Sequence, residues 1–237
     1  MITSFYDHIR ELPSSTPIFV TVDHPKETAS NYSYRLATLD KYVTNLYTKY
    51  LLDPRIHFIV GTDHWHVGGT VLKTIKLIKK HYPAVEFLYY TQHDLPFVRD
   101  INHTALLNTM NEHPDVNYIR FKNKKFEGTP MLCGNRTEYP VISQPPGEKN
   151  ESLVQNNSIF KTRKYSDRNH LVRMDWYFHT LILPLGNYKR FPESPIIPQV
   201  RKNCSRYGIF TYGRPKVQEK PIILNFDGQY YKGEERK

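Results

Sequence analysis

The sequence predicts an α/β protein with a mainly parallel twisted sheet flanked by helices. Two observations carry this prediction. Short apolar runs rich in β-branched and aromatic residues alternate with longer amphipathic segments, and the alternation continues from residue 16 to residue 121. Strands that alternate with helices need crossover connections, which produce parallel pairing. With 39% hydrophobic residues among 237, the chain has enough apolar side chains for a substantial core.

Four apolar runs are predicted strands, because each is short, rich in β-branched or aromatic residues and closed by turn-forming or polar residues. They are TPIFVTVDHP (16–25), RIHFIVGTDH (55–64), VEFLYYTQ (85–92) and VNYIRF (116–121). Three segments between them are predicted helices: 30–52, 68–82 and 100–114. Apolar residues recur there at steps of three and four, as in Val71, Ile75 and Ile78.

The amino-acid composition of the sequence changes after residue 121. Residues 121–158 are rich in Gly, Pro, Asn and charge, which predicts loops and short antiparallel strands, with a mobile stretch at 144–158. DWYFHTLILPL (175–185) is a predicted helix, and PIILNF (221–226) a predicted strand. We therefore expect one domain over 1–237, with an alternating α/β half (16–121) and a looser half (122–237). It can belong to a longer polypeptide.

Composition narrows the class of partner. The formal net charge of +10 fits either plain solubility or attraction to an anion such as a nucleoside diphosphate, nucleic acid or an acidic glycan. No nucleic-acid-binding motif accompanies the cations, so we expect no nucleic-acid partner. No apolar run approaches the roughly 20 residues of a membrane span. We expect a cytoplasmic protein, of the host cell if the source is viral. The two cysteines are too few for a disulfide scaffold or a Cys-rich metal site.

Polar residues follow three successive predicted strands at the point where each ends. These are Asp23-His24, Thr62-Asp63-His64 and Gln92-His93-Asp94. The carboxyl ends of parallel strands meet at one edge of a sheet, where ligands of such folds bind. The sequence therefore predicts a polar site at this edge. For His93-Asp94 the alternative is a surface turn before Pro96.

The segment DHWHVGG (63–69) allows a second interpretation. His64 and His66 have the spacing of two zinc ligands on one strand, although no third ligand follows at short range. Gly68-Gly69, at the start of a predicted helix, is instead suited to present backbone N–H groups to a phosphate.

Two motifs resemble those of GT-A glycosyltransferases. YYTQHDLPF (89–97) occupies the place of that fold's Asp-x-Asp signature, and YSDRNHLVRMDWYF (165–178) resembles the acceptor-side segment of family-2-like transferases. Similar domains occur in surface-polysaccharide clusters and in large DNA viruses. The resemblance extends over roughly residues 16–195, and it implies that 16–121 is the nucleotide-binding half and 122–237 the acceptor half. It implies transfer of a hexose or deoxyhexose from a nucleoside diphosphate, UDP favoured over GDP, to a hydroxyl of a glycan or glycoprotein, with inversion at the anomeric carbon.

The resemblance also implies roles for the strand ends. Asp94 would bind Mn²⁺ or Mg²⁺, with His93 assisting, because a divalent cation neutralises the charge that develops on the leaving diphosphate. Gln92 and His93 stand where the family has a further carboxylate, which weakens the case for metal dependence. The end of the first strand, Thr21, Val22 and Asp23, would hold the nucleoside.

Three further positions complete the implied site. Asp63 would read the base, and Arg35 would pair with phosphate; the alternative for Arg35 is a solvated helix residue. Asp175, 81 positions after Asp94, would be the general base, and its alternative is a carboxylate favoured by the helix dipole. Asp167 and Glu193 are weaker candidates for the base. The acceptor wall would contain residues that can equally belong to the core: His170, Trp176 and Tyr177.

Two other classes of function remain open at the level of sequence. A nucleotidyltransferase, or another enzyme that processes nucleotides, can use the same sheet edge. A non-catalytic basic module that binds nucleic acid or an acidic glycan would need none of the carboxylates.

Overall fold

The computed structural model describes residues 2–122, 132–134, 137–141, 157–185, 192–213 and 221–224. The chain is a mixed α/β protein that divides into two compact units, neither of them continuous in sequence. Unit 1 comprises Met1–Leu12, Phe87–Arg173 and Pro195–Lys237, and unit 2 comprises Pro13–Glu86 and Met174–Ser194.

Unit 1 is built on a six-stranded sheet. Its strands, in spatial order, are β4 (Phe87–Tyr90), β9 (His170–Arg173), β6 (Tyr118–Phe121), β10 (Ile209–Tyr212), β8 (Asn157–Lys161) and β7 (Glu138–Val141). All neighbours pair antiparallel except β6 and β10, which are parallel. A separate parallel pair joins β1 (Ile9–Arg10) to β5 (Ile101–Asn102).

Unit 1 also contains four helices among its described residues. They are α1 (Ile2–His8), α4 (His103–Glu112), α7 (Glu193–Lys202, whose first two residues fall in unit 2) and α8 (Cys204–Tyr207). Leu106 and Met110 of α4 are fully buried. The helix begins where the side chain of Asn102 accepts a hydrogen bond from the backbone N–H of Ala105, which satisfies one of the free donors of its first turn.

Unit 2 contains one parallel strand pair and two long helices. β2 (Ile18–Val22) pairs with β3 (Ile56–Val60), and the connection between them contains α2 (Tyr32–Tyr50). The third element, α3 (His66–His81), buries an apolar stripe that includes Val71, Ile75 and Ile78. A last helical segment continues from α5 (Met174–Trp176) through a π-helical stretch (Tyr177–Ile182) into α6 (Leu183–Leu185).

The α/β class is confirmed, and so are the four predicted strands (β2, β3, β4 and β6) and the predicted helices. The sheet differs from the mainly parallel one that the alternation of elements predicts, since the six-stranded sheet is mostly antiparallel. The physical reason is β9, which lies between β4 and β6 and pairs antiparallel with both. Parallel pairing is seen in β2–β3, β1–β5 and β6–β10.

The region after residue 121 contains short antiparallel strands, as predicted, in β7 and β8. Of the stretch 144–158, which was expected to be mobile, only residues 157 and 158 are among those described. Of the predicted strand 221–226, only residues 221–224 are among those described. Ile223 forms an isolated antiparallel bridge to Phe97.

One face of the six-stranded sheet is packed with aromatic side chains. Phe97 lies edge-on to Phe121 and to Phe5, with centroids 5.4 and 6.1 Å apart, and Tyr89 stacks on Phe121 at 6.2 Å. Edge-to-face pairs of this kind add to the stability gained from burial. They make this face the hydrophobic core of unit 1.

A disulfide between Cys133 and Cys204 ties the segment 132–134 to α8, and both residues are buried. The sequence does not reveal this bridge, because the pairing of two cysteines 71 residues apart depends on the fold and not on their spacing. Among the helices in the described part of the chain, none is both long and apolar enough to cross a membrane.

Candidate functional site

A row of polar side chains crosses the centre of the sheet in unit 1. Tyr90 of β4 lies opposite His170 of β9, His170 lies opposite Arg120 of β6, and Arg120 lies opposite Thr211 of β10. Residues directly opposite one another point to the same face of a sheet. Arg120, His170 and Thr211 are each no more than 3% exposed. The face opposite the aromatic core therefore contains a buried polar row among apolar side chains such as Val172 and Ile209.

His170 is held in an aromatic stack on this face. Its ring lies parallel to Tyr90 on one side and to Tyr118 on the other, with centroids 5.0 and 4.3 Å away. Its Nδ1 lies 2.5 Å from the carbonyl oxygen of Arg168, which makes Nδ1 the protonated nitrogen. Burial lowers the pKa of His170 to about 3, so the imidazole is neutral. As a fully buried ring it does not line an acceptor surface.

The turn that follows β4 carries the predicted metal ligand. Leu95 N–H donates to the carbonyl of Gln92 at 3.2 Å, which closes a turn around His93 and Asp94. The Gln92 side chain reaches the carbonyl oxygen of Asp167 at 3.3 Å. Asn169 contacts the turn at both ends: its Oδ1 accepts from Gln92 N–H at 2.8 Å, and its Nδ2 donates to the Leu95 carbonyl at 2.6 Å. The turn is thereby fixed against the loop that precedes β9.

The carboxylates of Asp167 and Asp94 both raise the pKa of Tyr90, at the end of β4. Burial raises the pKa of Tyr90 most, and the negative charges of Asp167 and, more weakly, of Asp94 raise it further. Asp167 is only 8% exposed, whereas Asp94 is partly exposed and His93 is exposed. Asp94 and Asp167, which are 73 positions apart in sequence, thus belong to one electrostatic environment.

Cationic side chains are buried at the same end of the sheet. Phe121 N–H donates to the Asn169 carbonyl at 3.2 Å, so Lys122, the next residue, follows directly at this edge. Lys122 is 4% exposed and Arg120 is 3% exposed. Burying a charge costs free energy unless it is compensated, so such residues are concentrated where function requires them. The carboxyl end of β4 is the candidate site in unit 1.

In unit 2, Asp23 organises the loop between β3 and α3. Its Oδ1 accepts from the backbone N–H of His24 at 3.0 Å and of Trp65 at 2.7 Å. Its Oδ2 accepts from the N–H of His66 at 2.9 Å and lies 3.1 Å from His64 Nδ1. A carboxylate at the start of a helix satisfies donors that have no partner within the helix and interacts favourably with the helix dipole. Asp23 therefore fixes the N-terminus of α3.

Asp63 and Trp65 of this loop form a more exposed group with Lys73 of α3. Trp65 Nε1–H donates to Asp63 at 2.9 Å, and the Lys73 ammonium lies 3.6 Å from the centroid of a Trp65 ring. Lys73 also lies 3.7 Å from the Asp63 carboxylate, whose side chain is 69% exposed. The group offers a carboxylate, a cation and an aromatic surface to an incoming ligand.

His66 adopts a left-handed backbone conformation, with φ of +58°, which costs free energy in a residue other than glycine. In this conformation the backbone N–H of His66 donates a hydrogen bond to the Asp23 carboxylate. Burial lowers the pKa of His66, and the neighbouring His64 lowers it further. No group of three His, Cys, Asp or Glu suited to a metal exists among the described residues, so neither His64 and His66 nor the turn with Asp94 supplies three such ligands.

The other positions predicted for the donor are found on β2 and α2. Thr21 and Val22 end β2, and Val22 is buried, with its carbonyl accepting from Gly61 N–H at 2.9 Å. Arg35 is exposed in the first turn of α2.

Asp175 stands in the first turn of the last helical segment, as predicted, and its side chain is 78% exposed. It pairs with Lys79 of α3. The π-helical stretch begins two residues later, and such stretches are frequent at functional sites. Tyr177, proposed for the acceptor wall, is buried in that stretch, whereas Trp176 is partly exposed.

The predicted residues are therefore distributed over both units. Asp23 and Asp63 come together around Trp65 in unit 2, which also contains Asp175, whereas His93 and Asp94 belong to unit 1. Sequence reasoning missed Asn169, Arg120 and Lys122. The available signal was a charged residue within an otherwise apolar strand, VNYIRF.

Comparison of the chain with protein-family models and with curated proteins finds no match.

Proposed function

We propose that the protein is a glycosyltransferase that moves a hexose or deoxyhexose from a nucleoside diphosphate to a hydroxyl of a glycan or glycoprotein. UDP is the favoured nucleotide, and Mn²⁺ or Mg²⁺ assists. The observation that carries the proposal is the anchored turn after β4, which presents Asp94 at the end of the sheet where Asp167 and Lys122 are buried. The GT-A arrangement itself remains part of the proposal.

The chemistry of the turn supports a diphosphate ligand. An oxygen ligand such as Asp94 suits Mg²⁺ and Mn²⁺, and Mn²⁺ also accepts an imidazole such as that of His93. With few protein ligands, the cation would take its remaining positions from phosphate oxygens and water. A cation held there by Asp94 and His93 would supply neutralisation of the charge on the leaving diphosphate.

The proposed general base is Asp175. The acceptor hydroxyl attacks the anomeric carbon, its proton passes to the Asp175 carboxylate, and the nucleoside diphosphate leaves from the opposite face, which inverts the configuration. The exposure of Asp175 makes it accessible to an acceptor. Lys79 pairs with the carboxylate and limits its orientations.

The nucleoside is assigned to the loop of unit 2. The Asp23 carboxylate accepts three hydrogen bonds from backbone N–H groups and lies close to His64, so its proposed contribution is to shape the loop. The exposed Asp63 is better placed to accept from a base or ribose, with the partly exposed ring of Trp65 beside it. Thr21, Val22 and Arg35 keep the donor contacts that the resemblance implies.

The experiment that tests the proposal is a thermal-shift screen followed by product analysis. Conjugates of UDP, GDP, CMP and dTDP are screened with and without MnCl₂, and we expect a UDP-sugar with Mn²⁺ to give the largest rise in Tm. Incubation with that donor should release the nucleoside diphosphate. Release of pyrophosphate would instead identify a nucleotidyltransferase. Steeply salt-dependent nucleic-acid binding that Asp94→Ala and Asp175→Ala leave unchanged would identify a non-catalytic module.

A further inference from the structure

We infer that Asn169 is the positioning residue of the cation site, acting on Asp94 through the turn that carries it. This inference rests on the proposed function. It concerns a residue that contacts neither the nucleotide nor the cation in the proposed arrangement.

The geometry singles out Asn169. Its side chain is fully buried, and its amide joins the two ends of the turn, accepting from Gln92 N–H and donating to the Leu95 carbonyl. The two residues between these anchor points are His93 and Asp94, the proposed ligands of the cation. The turn's own hydrogen bond, from Leu95 N–H to the Gln92 carbonyl, is longer than either contact of the amide, at 3.2 Å against 2.8 and 2.6 Å.

The chemistry of the position requires an amide. One planar group must accept at one atom and donate at another, which asparagine does and aspartate at neutral pH does not. In Asn169→Asp a carboxylate oxygen would face the Leu95 carbonyl, and the two acceptors would repel each other. The size of the side chain would be unchanged, so this variant removes one end of the anchor without opening a cavity.

The backbone of Asn169 links the turn to the rest of the edge. The Asn169 carbonyl accepts from Phe121 N–H at the end of β6. Two residues earlier, the backbone carbonyl of Asp167 accepts from the Gln92 side chain. Catalytic groups need to be held close to their productive geometry, and residues behind them supply that rigidity. A loosened turn should therefore reduce the affinity for the cation more than it reduces the stability of the protein.

A matched control exists in the same unit. Asn102 also makes two hydrogen bonds through its side chain, accepting from Ala105 N–H at 2.7 Å and donating to Glu11 at 2.9 Å, but it caps α4. Asn102→Asp and Asn169→Asp remove the same donor from the same residue type. Asn169→Ser, which keeps a shorter donor and acceptor, serves as the second variant if Asn169→Asp fails to fold.

The experiment measures the MnCl₂ concentration that half-saturates hydrolysis of UDP-glucose, together with the Tm, for the full chain and each variant. We expect Asn169→Asp or Asn169→Ser to raise that concentration at least tenfold, with Asn102→Asp within twofold of the wild type. UDP affinity without Mn²⁺ should not change.

Two results would overturn the inference, and they differ from each other. An Asn169 variant with a lowered Tm but an unchanged Mn²⁺ requirement would show that the residue is only structural, leaving the proposed function intact. A wild-type chain that shows no Mn²⁺-dependent hydrolysis of any donor in the screen would remove the proposed function and this assignment with it.

Discussion

The two units differ most in what they bury. Among the described residues, every polar or charged side chain classed as buried lies in unit 1, including Arg120, Lys122, Asp167 and His170. The described residues of unit 2 include none, and its longest helix, α2, has no buried residue of any kind. Polar groups are thus kept in the interior of one unit and at the surface of the other.

The difference separates two ways of building a polar site. In unit 1 the polar row lies on adjacent strands of the sheet and is buried. Low solvent exposure there strengthens electrostatic interactions and makes each uncompensated charge costly. In unit 2 the charged groups around Trp65 are largely solvated, where ion pairs contribute little. We expect substitutions in unit 1 to change stability and chemistry together, and those around Trp65 to change mainly ligand contacts.

The largest expected effect is on catalysis. Asp175→Ala should leave UDP affinity within about twofold of the wild type and reduce transfer to an acceptor by at least about 100-fold, because a general base typically contributes 10²- to 10⁴-fold. Product release at saturating donor and acceptor measures this. Lys79→Ala is the control for the ion pair, and its effect should be far smaller. A fully active Asp175→Ala protein would remove the assignment of the base.

Core packing gives the next largest difference between the units. Leu106→Ala in α4 of unit 1 should lower the free energy of unfolding by about 2–5 kcal/mol, since Leu106 is fully buried. Leu52→Ala in unit 2 should change it by no more than about 0.5 kcal/mol, because Leu52 is 94% exposed. Urea denaturation of both variants measures the contrast. Equal losses would show that Leu52 is covered in solution.

Acid should destabilise the protein through His170. The folded state keeps this imidazole neutral, with a pKa of about 3, whereas in the unfolded chain it protonates near pH 6.5. Its contribution is therefore complete above about pH 6.5 and is lost as the pH falls towards 3, with about 2 kcal/mol gone at pH 5. Denaturation at several pH values should show His170→Gln to be less acid-sensitive than the wild type. His81→Gln, which changes an exposed histidine of α3, should leave the profile unaltered.

A smaller effect is expected for the loop of unit 2. Asp23→Asn should cost about 1–2 kcal/mol, because the carboxylate accepts from three backbone N–H groups around the start of α3 and an amide replaces only part of this. Asp63→Asn should cost no more than about 0.5 kcal/mol, since that side chain is mostly exposed. Equilibrium denaturation of the two variants compares them directly. A larger loss for Asp63→Asn would reverse the structural roles assigned here.

Much of the local structure could be predicted from the sequence, because periodicity reports which face of an element is buried. The stripe of Val71, Ile75 and Ile78 predicted α3, and these residues are buried as expected. The order of strands could not be predicted in this way. The position of β9 between β4 and β6 depends on long-range pairing, which the alternation of neighbouring elements does not predict.

The site shows the same division between local and long-range information. Asp23 and Asp94 were recognisable because they end apolar runs, and a strand end is a local feature. Asn169 was not singled out, because its role depends on a turn 74 residues earlier in the chain. The three hydrogen bonds that assign Asp23 to the loop of α3 are equally invisible in the sequence.

The measurement that tests the central claim most directly is the affinity of UDP for the wild type and for Asp94→Ala, determined by calorimetry with and without MnCl₂. We expect Mn²⁺ to lower the Kd of the wild type at least tenfold and to leave that of Asp94→Ala unchanged. If Mn²⁺ strengthens UDP binding equally in both proteins, the turn after β4 does not hold the cation and the account is wrong.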